Sequence, residues 1–136
     1  MSRQRAQGTR LESAFVSMLR AVGTPARRLA EGGTADEGDV EGWLPDGTRI
    51  VYECKSVERL PRAPHLLLAD ARRKAKGTAA VVWKRSSRKS GNSKRSGDGT
   101  VVIVDAATWL SVVGVVDCGA RLDGEAGRAP QGGDAA

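Results

Sequence analysis

Apolar positions at Leu11, Ala14, Phe15, Met18, Leu19 and Val22 recur at the spacing of one helix face. Thr9 with Glu12 three residues later matches a capping box, and Gly23 followed by Pro25 stops the helix. Met1 to Gly8 is polar and basic, carries Arg3 and Arg5, and reads as a flexible arm. Arg27-Arg28-Leu29-Ala30 predicts a short strand, and Glu31 to Gly38 a Gly-rich, acidic loop. From Asp39 to Ser56 two apolar runs flank Trp43-Leu44-Pro45-Asp46-Gly47-Thr48. Pro pre-sets φ, Asp bonds its own backbone and Gly tolerates positive φ, so the runs form an antiparallel hairpin. Strand side chains repeat every two residues. Glu53 and Lys55 therefore share one face, while Ile50, Tyr52 and Cys54 take the other and pack.

Glu58 to Pro64 holds two prolines and reads as a loop. His65 to Lys76 predicts a second helix with Leu66, Leu67, Ala69 and Ala71 inward and Arg72, Arg73, Lys74 and Lys76 in water, ended by Gly77 at C′. His65 itself is given no role. Ala79 to Trp83 is a continuous apolar run, consistent with a buried strand. Lys84-Arg85 leads into a Ser/Gly/Lys/Arg segment over 86–99 without periodicity, too polar to fold alone. Val101 to Val104 is a further strand. Asp105 caps a last helix to about Val113, with Trp109 and Leu110 facing inward. The expected layout is a basic arm over 1–8, one domain over 9–116 and a disordered tail over 117–136.

A chain of 136 residues holds one domain with a real core, built from Val, Leu, Ala and Ile because aromatics make up only 4%. The net charge of +6 and a pI near 9.9 suit a polyanionic partner, nucleic acid foremost. Cys54 and Cys118 match neither a zinc spacing nor a disulfide framework, and Cys54 reads as a buried, inert thiol. The N-terminus has no apolar core of a signal peptide, and no run reaches membrane-spanning length. These features predict a cytosolic, reduced protein.

The candidate chemistry centres on the hairpin. With the expected register Asp39 returns beside Glu53, so two carboxylates and the Lys55 ammonium converge where a divalent cation with oxygen ligands can sit. Taken alone, these residues are equally a turn Asp and a solvated Glu-x-Lys face. Glu12, at the edge of the first helix's apolar stripe, is either the acidic partner of the cap or a member of the site. Lys84, Arg85, Arg88, Lys89, Lys94 and Arg95 fall within twelve positions without an acid among them. They form either a soluble loop or a phosphate-binding one.

The order helix, strand, hairpin, helix, strand, strand, helix indicates only an α/β class. Joined to Gly8-Thr9-x-Leu11-Glu12, Arg27-Arg28, Gly38-Asp39-Val40, Val51-x-Glu53-Cys54-Lys55-Ser56 and Val82-x-Lys84-Arg85, it resembles the PD-(D/E)xK nuclease superfamily. The likeness is closest to the small Holliday junction resolvases of archaea and bacteriophages, and it runs from residue 8 to about 113. The resemblance implies a restriction-endonuclease-like mixed β-sheet flanked by helices. It implies Mg²⁺ or Mn²⁺ held by Asp39, Glu53 and the Cys54 backbone carbonyl, with Glu12 reaching the site directly or through water. Lys55 would orient or activate the attacking water and stabilise the developing phosphorane. Arg27, Arg28 and the six cations from Lys84 to Arg95 would hold DNA phosphates. Symmetric cutting of a four-way junction implies a homodimer working in DNA recombination, in the cytoplasm of a bacterium or a phage-infected host. In this family Pro often precedes the Asp, where this chain has Gly38; a functional Ser of the archaeal members has only Thr34 as counterpart. Asp36 competes with Asp39 as ligand but lies in the loop.

The expected function is thus a metal-dependent, structure-selective DNA endonuclease acting on four-way junctions. The alternatives are a nuclease of the same superfamily cutting flaps, nicks or duplex, and a nucleic-acid-binding module that does not cut.

Overall fold

Strand β3 (Arg49–Ser56) runs through the middle of a five-stranded sheet, and its alternating side chains separate two hydrophobic clusters. The computed structural model describes residues 3–30, 36–85 and 99–121. Its elements are α1 (Arg3–Ala21), β1 (Ala26–Arg28), β2 (Val40–Trp43), β3, α2 (Pro64–Ala75), β4 (Ala79–Lys84), β5 (Thr100–Ile103) and α3 (Ala106–Arg121). The strands lie in the order β1-β2-β3-β4-β5. All neighbours are antiparallel except β3 and β4, which run parallel and are joined through α2. This is a mixed sheet flanked by helices, in the α/β class the element order indicates.

The hairpin closes as its turn chemistry requires. Gly47 takes φ +87°, Leu44 N–H donates to the Thr48 carbonyl, and the Asp46 carboxylate accepts the Thr48 N–H at 2.9 Å. Its register pairs Val40 with Tyr52 and Glu41 with Val51. Ile50 and Tyr52 face α1, where Leu11, Phe15 and Val16 are buried and the Phe15 and Tyr52 rings meet edge-on at 4.8 Å. Val51, Ala79 and Val81 face α2 through Leu67, Leu68, Ala71 and Ala75. Cys54 packs at the margin of the α1 cluster, as expected for an inward strand position.

Several helix details depart from the sequence pattern. α1 begins by Arg3, so Thr9 is not its cap and residues 3–8 are not an irregular arm; the Arg-Gln-Arg-Ala-Gln run propagates a helix well. Its inner stripe is Leu11, Glu12, Phe15, Val16 and Leu19, which leaves Ala14, Met18 and Val22 outside, Val22 with 78% of its surface exposed. In α2, Pro64 occupies the first turn and fixes the phase; Leu66 and Ala69 face solvent while Leu68 and Ala75 are buried. The left-handed residue that ends α2 is Lys76, at φ 55°, rather than Gly77.

Asp105 caps α3 as its position predicts, its Oδ1 accepting the Thr108 N–H at 2.7 Å. The helix continues to Arg121, so 117–121 extend it and only 122–136 of the expected tail lie outside the described residues. Trp109 and Leu110 are 59% and 65% exposed and do not face the core. Thr108, Ser111 and Val112 form the more sheltered side of α3 instead, which turns the two large residues outward. Among the described residues no helix is long and apolar enough to cross a membrane.

Candidate active site

Asp39 stands one residue before β2 and is fixed from three sides. Its N–H donates to the Tyr52 carbonyl at 3.0 Å, its carbonyl accepts the Leu29 N–H at 2.8 Å, and its Oδ2 accepts the Cys54 N–H at 2.7 Å. The β2–β3 register, extended by one residue, sets Asp39 opposite Glu53 as the sequence requires. Gly38 makes this approach feasible. Its φ is +139°, and a Cβ there would stand 2.4 Å from Val51 Cγ1. A proline cannot adopt that φ, and any side chain there would meet Val51.

Burial pushes the Asp39 carboxyl up to about 6, and the charges of Glu53 and Glu12 add to the rise, against the lowering effects of the Cys54 N–H and Lys74. Three carboxylates therefore feel one another around this point. Glu53 is held by two ammonium groups: Lys74 Nζ lies 3.2 Å from each of its oxygens, and Lys55 Nζ lies 3.6 Å from Oε1. Lys55 and Glu53 project to the α2 side of the sheet, two residues apart on one strand. The Cys54 thiol is kept protonated by burial, reinforced by Asp39, Glu12 and Glu53. It is an inert packing group.

Glu12 is a buried mid-helix residue, 6% exposed, rather than the acidic half of a capping box. Arg28 meets its Oε2 through both Nε and Nη2, at 2.9 and 2.8 Å. Arg27 likewise bonds the Glu41 carboxylate. These two arginines, expected at DNA phosphates, are thus each engaged by a carboxylate. Lys84 and Arg85 are exposed at the end of β4, while Arg88, Lys89, Lys94, Arg95 and Thr34 lie outside the described residues. Asp36 is solvent-exposed, with Oδ2 3.2 Å from Lys74, and makes no approach to Cys54 of the kind Asp39 makes.

Two features escape the motif reading. Glu41 is 3% exposed, yet its charge is sustained: burial opposes ionisation, and hydrogen bonds from Arg49 and Arg27 outweigh it, holding the carboxyl below its ordinary range. α2 packs mainly on β3 and β4, and on β2 Glu41 is bonded by both Arg27 and Arg49. Lys74 is the other. It was expected in water, but the buried stripe Leu67, Ala71, Ala75 places position 74 on the inner side of α2 by helical spacing alone.

No protein-family model, curated protein or solved structure matches this chain.

The donor set bears on the expected metal in two ways. Among the described residues no group of three or more His, Cys, Asp or Glu side chains is placed to cage a metal ion. Mg²⁺, however, typically takes one or two carboxylates and completes its shell with waters and phosphate oxygens. Asp39, raised mainly by burial and further by the Glu53 charge, and Glu53 are hard oxygen donors that fit that chemistry.

Proposed function

We propose that this protein is a metal-dependent, structure-selective DNA endonuclease with a restriction-endonuclease-like fold, and that a four-way junction is its substrate. The observation that carries the reading is the placing of Asp39 opposite Glu53 across the β2–β3 ladder, with Lys55 on the same strand face as Glu53 and 3.6 Å from it. The net charge of +6 supports a polyanionic substrate.

Asp39 and Glu53 would hold a hard cation, which when bound would lower the pKa of a water and offset phosphate charge. The chain's own groups do the rest. Lys55 presents an ammonium to the phosphate oxygens that gain charge. The Cys54 N–H fixes the Asp39 carboxylate so that it need not reorganise during reaction. Arg28 holds Glu12, whose charge reaches Asp39 from the α1 side. Contacts to phosphates carry no base information, so selection rests on the shape of the DNA. Two symmetric cuts across a junction require two such sites and hence a homodimer.

Labelled four-way junction, flap and linear duplex, each incubated with Mg²⁺ or with EDTA, test the proposal. Junction cleavage should appear with Mg²⁺ alone, vanish in Asp39→Asn and Glu53→Gln, and fall strongly in Lys55→Ala while binding persists. Cleavage of flap or duplex in place of the junction reassigns the substrate. Binding without cleavage of any of them identifies a non-cutting module.

A further inference from the structure

The inner stripe of α2 delivers one charged group to the sheet, and its position is specific. Lys74 follows Leu67 by seven residues and Ala71 by three, so its stem leaves the helix beside buried positions. Nζ is equidistant from the two oxygens of Glu53, at 3.2 Å each, and so lies across the mouth of that carboxylate. A second carboxylate, Asp36, holds the same Nζ at 3.2 Å from the loop before β2. Lys55 approaches Glu53 from its own strand and leaves the mouth to Lys74.

We infer that Lys74 is a tethered counter-ion that competes with a divalent cation for Glu53, and that on displacement it turns to a phosphate oxygen of the DNA. The inference rests on the metal-dependent reading above. A divalent cation sharing Glu53 removes the Glu53 share of the attraction that holds Lys74 and repels the ammonium itself. The four-carbon stem lets Nζ swing with its donors free, while α2 keeps its root beside the site. A phosphate brought to the metal then offers the nearest negative charge apart from Asp36. Metal and DNA binding are thereby coupled, because each favours the lysine position that admits the other.

The test measures Mn²⁺ binding by calorimetry on the DNA-free, full-length protein as wild type, Lys74→Met, Lys74→Arg and Glu53→Gln. Junction binding is measured in parallel by fluorescence anisotropy, with Ca²⁺ and without it. Lys74→Met should bind Mn²⁺ about tenfold more tightly, since a full positive charge is removed beside the ligand. The same variant should lose most of the gain in junction affinity that Ca²⁺ gives wild type, and Lys74→Arg should restore wild-type behaviour in both. A merely structural ion pair would lower the melting temperature and leave the Ca²⁺-dependent gain in junction affinity as it is in wild type. Unchanged Mn²⁺ affinity, or an unchanged Ca²⁺-dependent gain, overturns the inference. Should Lys74→Met not fold, Lys74→Gln serves in its place with the same expectation. If Glu53→Gln binds Mn²⁺ as tightly as wild type, or wild type binds none, the metal site itself fails, which is distinguishable from failure of the Lys74 coupling alone.

Discussion

The Asp39 carboxylate accepts the backbone N–H of Cys54 at 2.7 Å, so a side chain completes the pairing with β3 just before β2 begins. The bond holds Asp39 in a partly buried position where its charge is disfavoured. Its carboxyl titrates at about 6 in the fold against 3.8 ordinarily, so between those values the folded chain holds more protons than the unfolded one. Stability therefore falls as pH rises through that window. Asp39→Asn keeps an oxygen for the Cys54 N–H and removes the charge. Thermal melts without divalent cations should find the variant more stable than wild type at pH 8 and the two alike below pH 4.

The Glu12–Arg28 pair is unequal. Glu12 is buried whereas Arg28 retains access to solvent, with 39% of its side chain exposed. Arg28→Ala strands a buried charge and should cost about 3 kcal/mol, at the lower end for broken buried pairs. Glu12→Gln leaves Arg28 free to hydrate and should cost about 1 kcal/mol. Urea denaturation of both variants gives the comparison; equal losses would mean that Arg28 buries its charge too.

The phase of α1 has a plain energetic signature. Phe15→Ala removes the ring that meets Tyr52 and should cost about 3–5 kcal/mol. Val22→Ala, on the wet side, should change stability by less than about 0.5 kcal/mol. Chemical denaturation decides, and a loss of more than about 1 kcal/mol at Val22 would mean that it packs in the stripe that the apolar period alone suggests.

Junction binding should weaken with salt, log K falling by about 0.9 per phosphate neutralised for each unit of log salt. Replacing Arg88, Lys89, Lys94 and Arg95 with Ser should flatten that slope and weaken binding to every DNA shape alike. Titrations at several salt concentrations measure it. An unchanged slope would assign the contacts to Lys84, Arg85 and the basic face of α2.

The hairpin was legible because each of its choices is local. Pro45-Asp46-Gly47 sets the turn, and the turn with a two-residue period sets which side chains share a face, so Asp39, Glu53 and Lys55 followed. The helix faces were less so. Apolar period alone cannot tell Met18 and Val22, which are exposed, from Val16, which does not look periodic but is buried. Glu12 could be left only as a cap partner or a site residue, and Lys74 was placed in water, for one reason: a charged residue on an inner stripe looks like an error of pattern until its partner, Arg28 or Glu53, is seen on the facing strand. Trp109 and Leu110 were assigned inward on hydrophobicity, and only the tertiary path of α3 shows otherwise.

The one parallel pairing among the described strands, β3 with β4, sets how far apart in sequence the groups of the site lie. A hairpin joins neighbours in the chain, whereas a parallel pair needs a crossover. Asp39 reaches the end of β3 within the hairpin, fifteen residues from Cys54. Lys74, twenty-one residues beyond Glu53, arrives only with the crossover. The hairpin by itself supplies Asp39, Glu53 and Lys55, whereas one crossover element supplies both the helix side of the second core cluster and the further ammonium of Lys74.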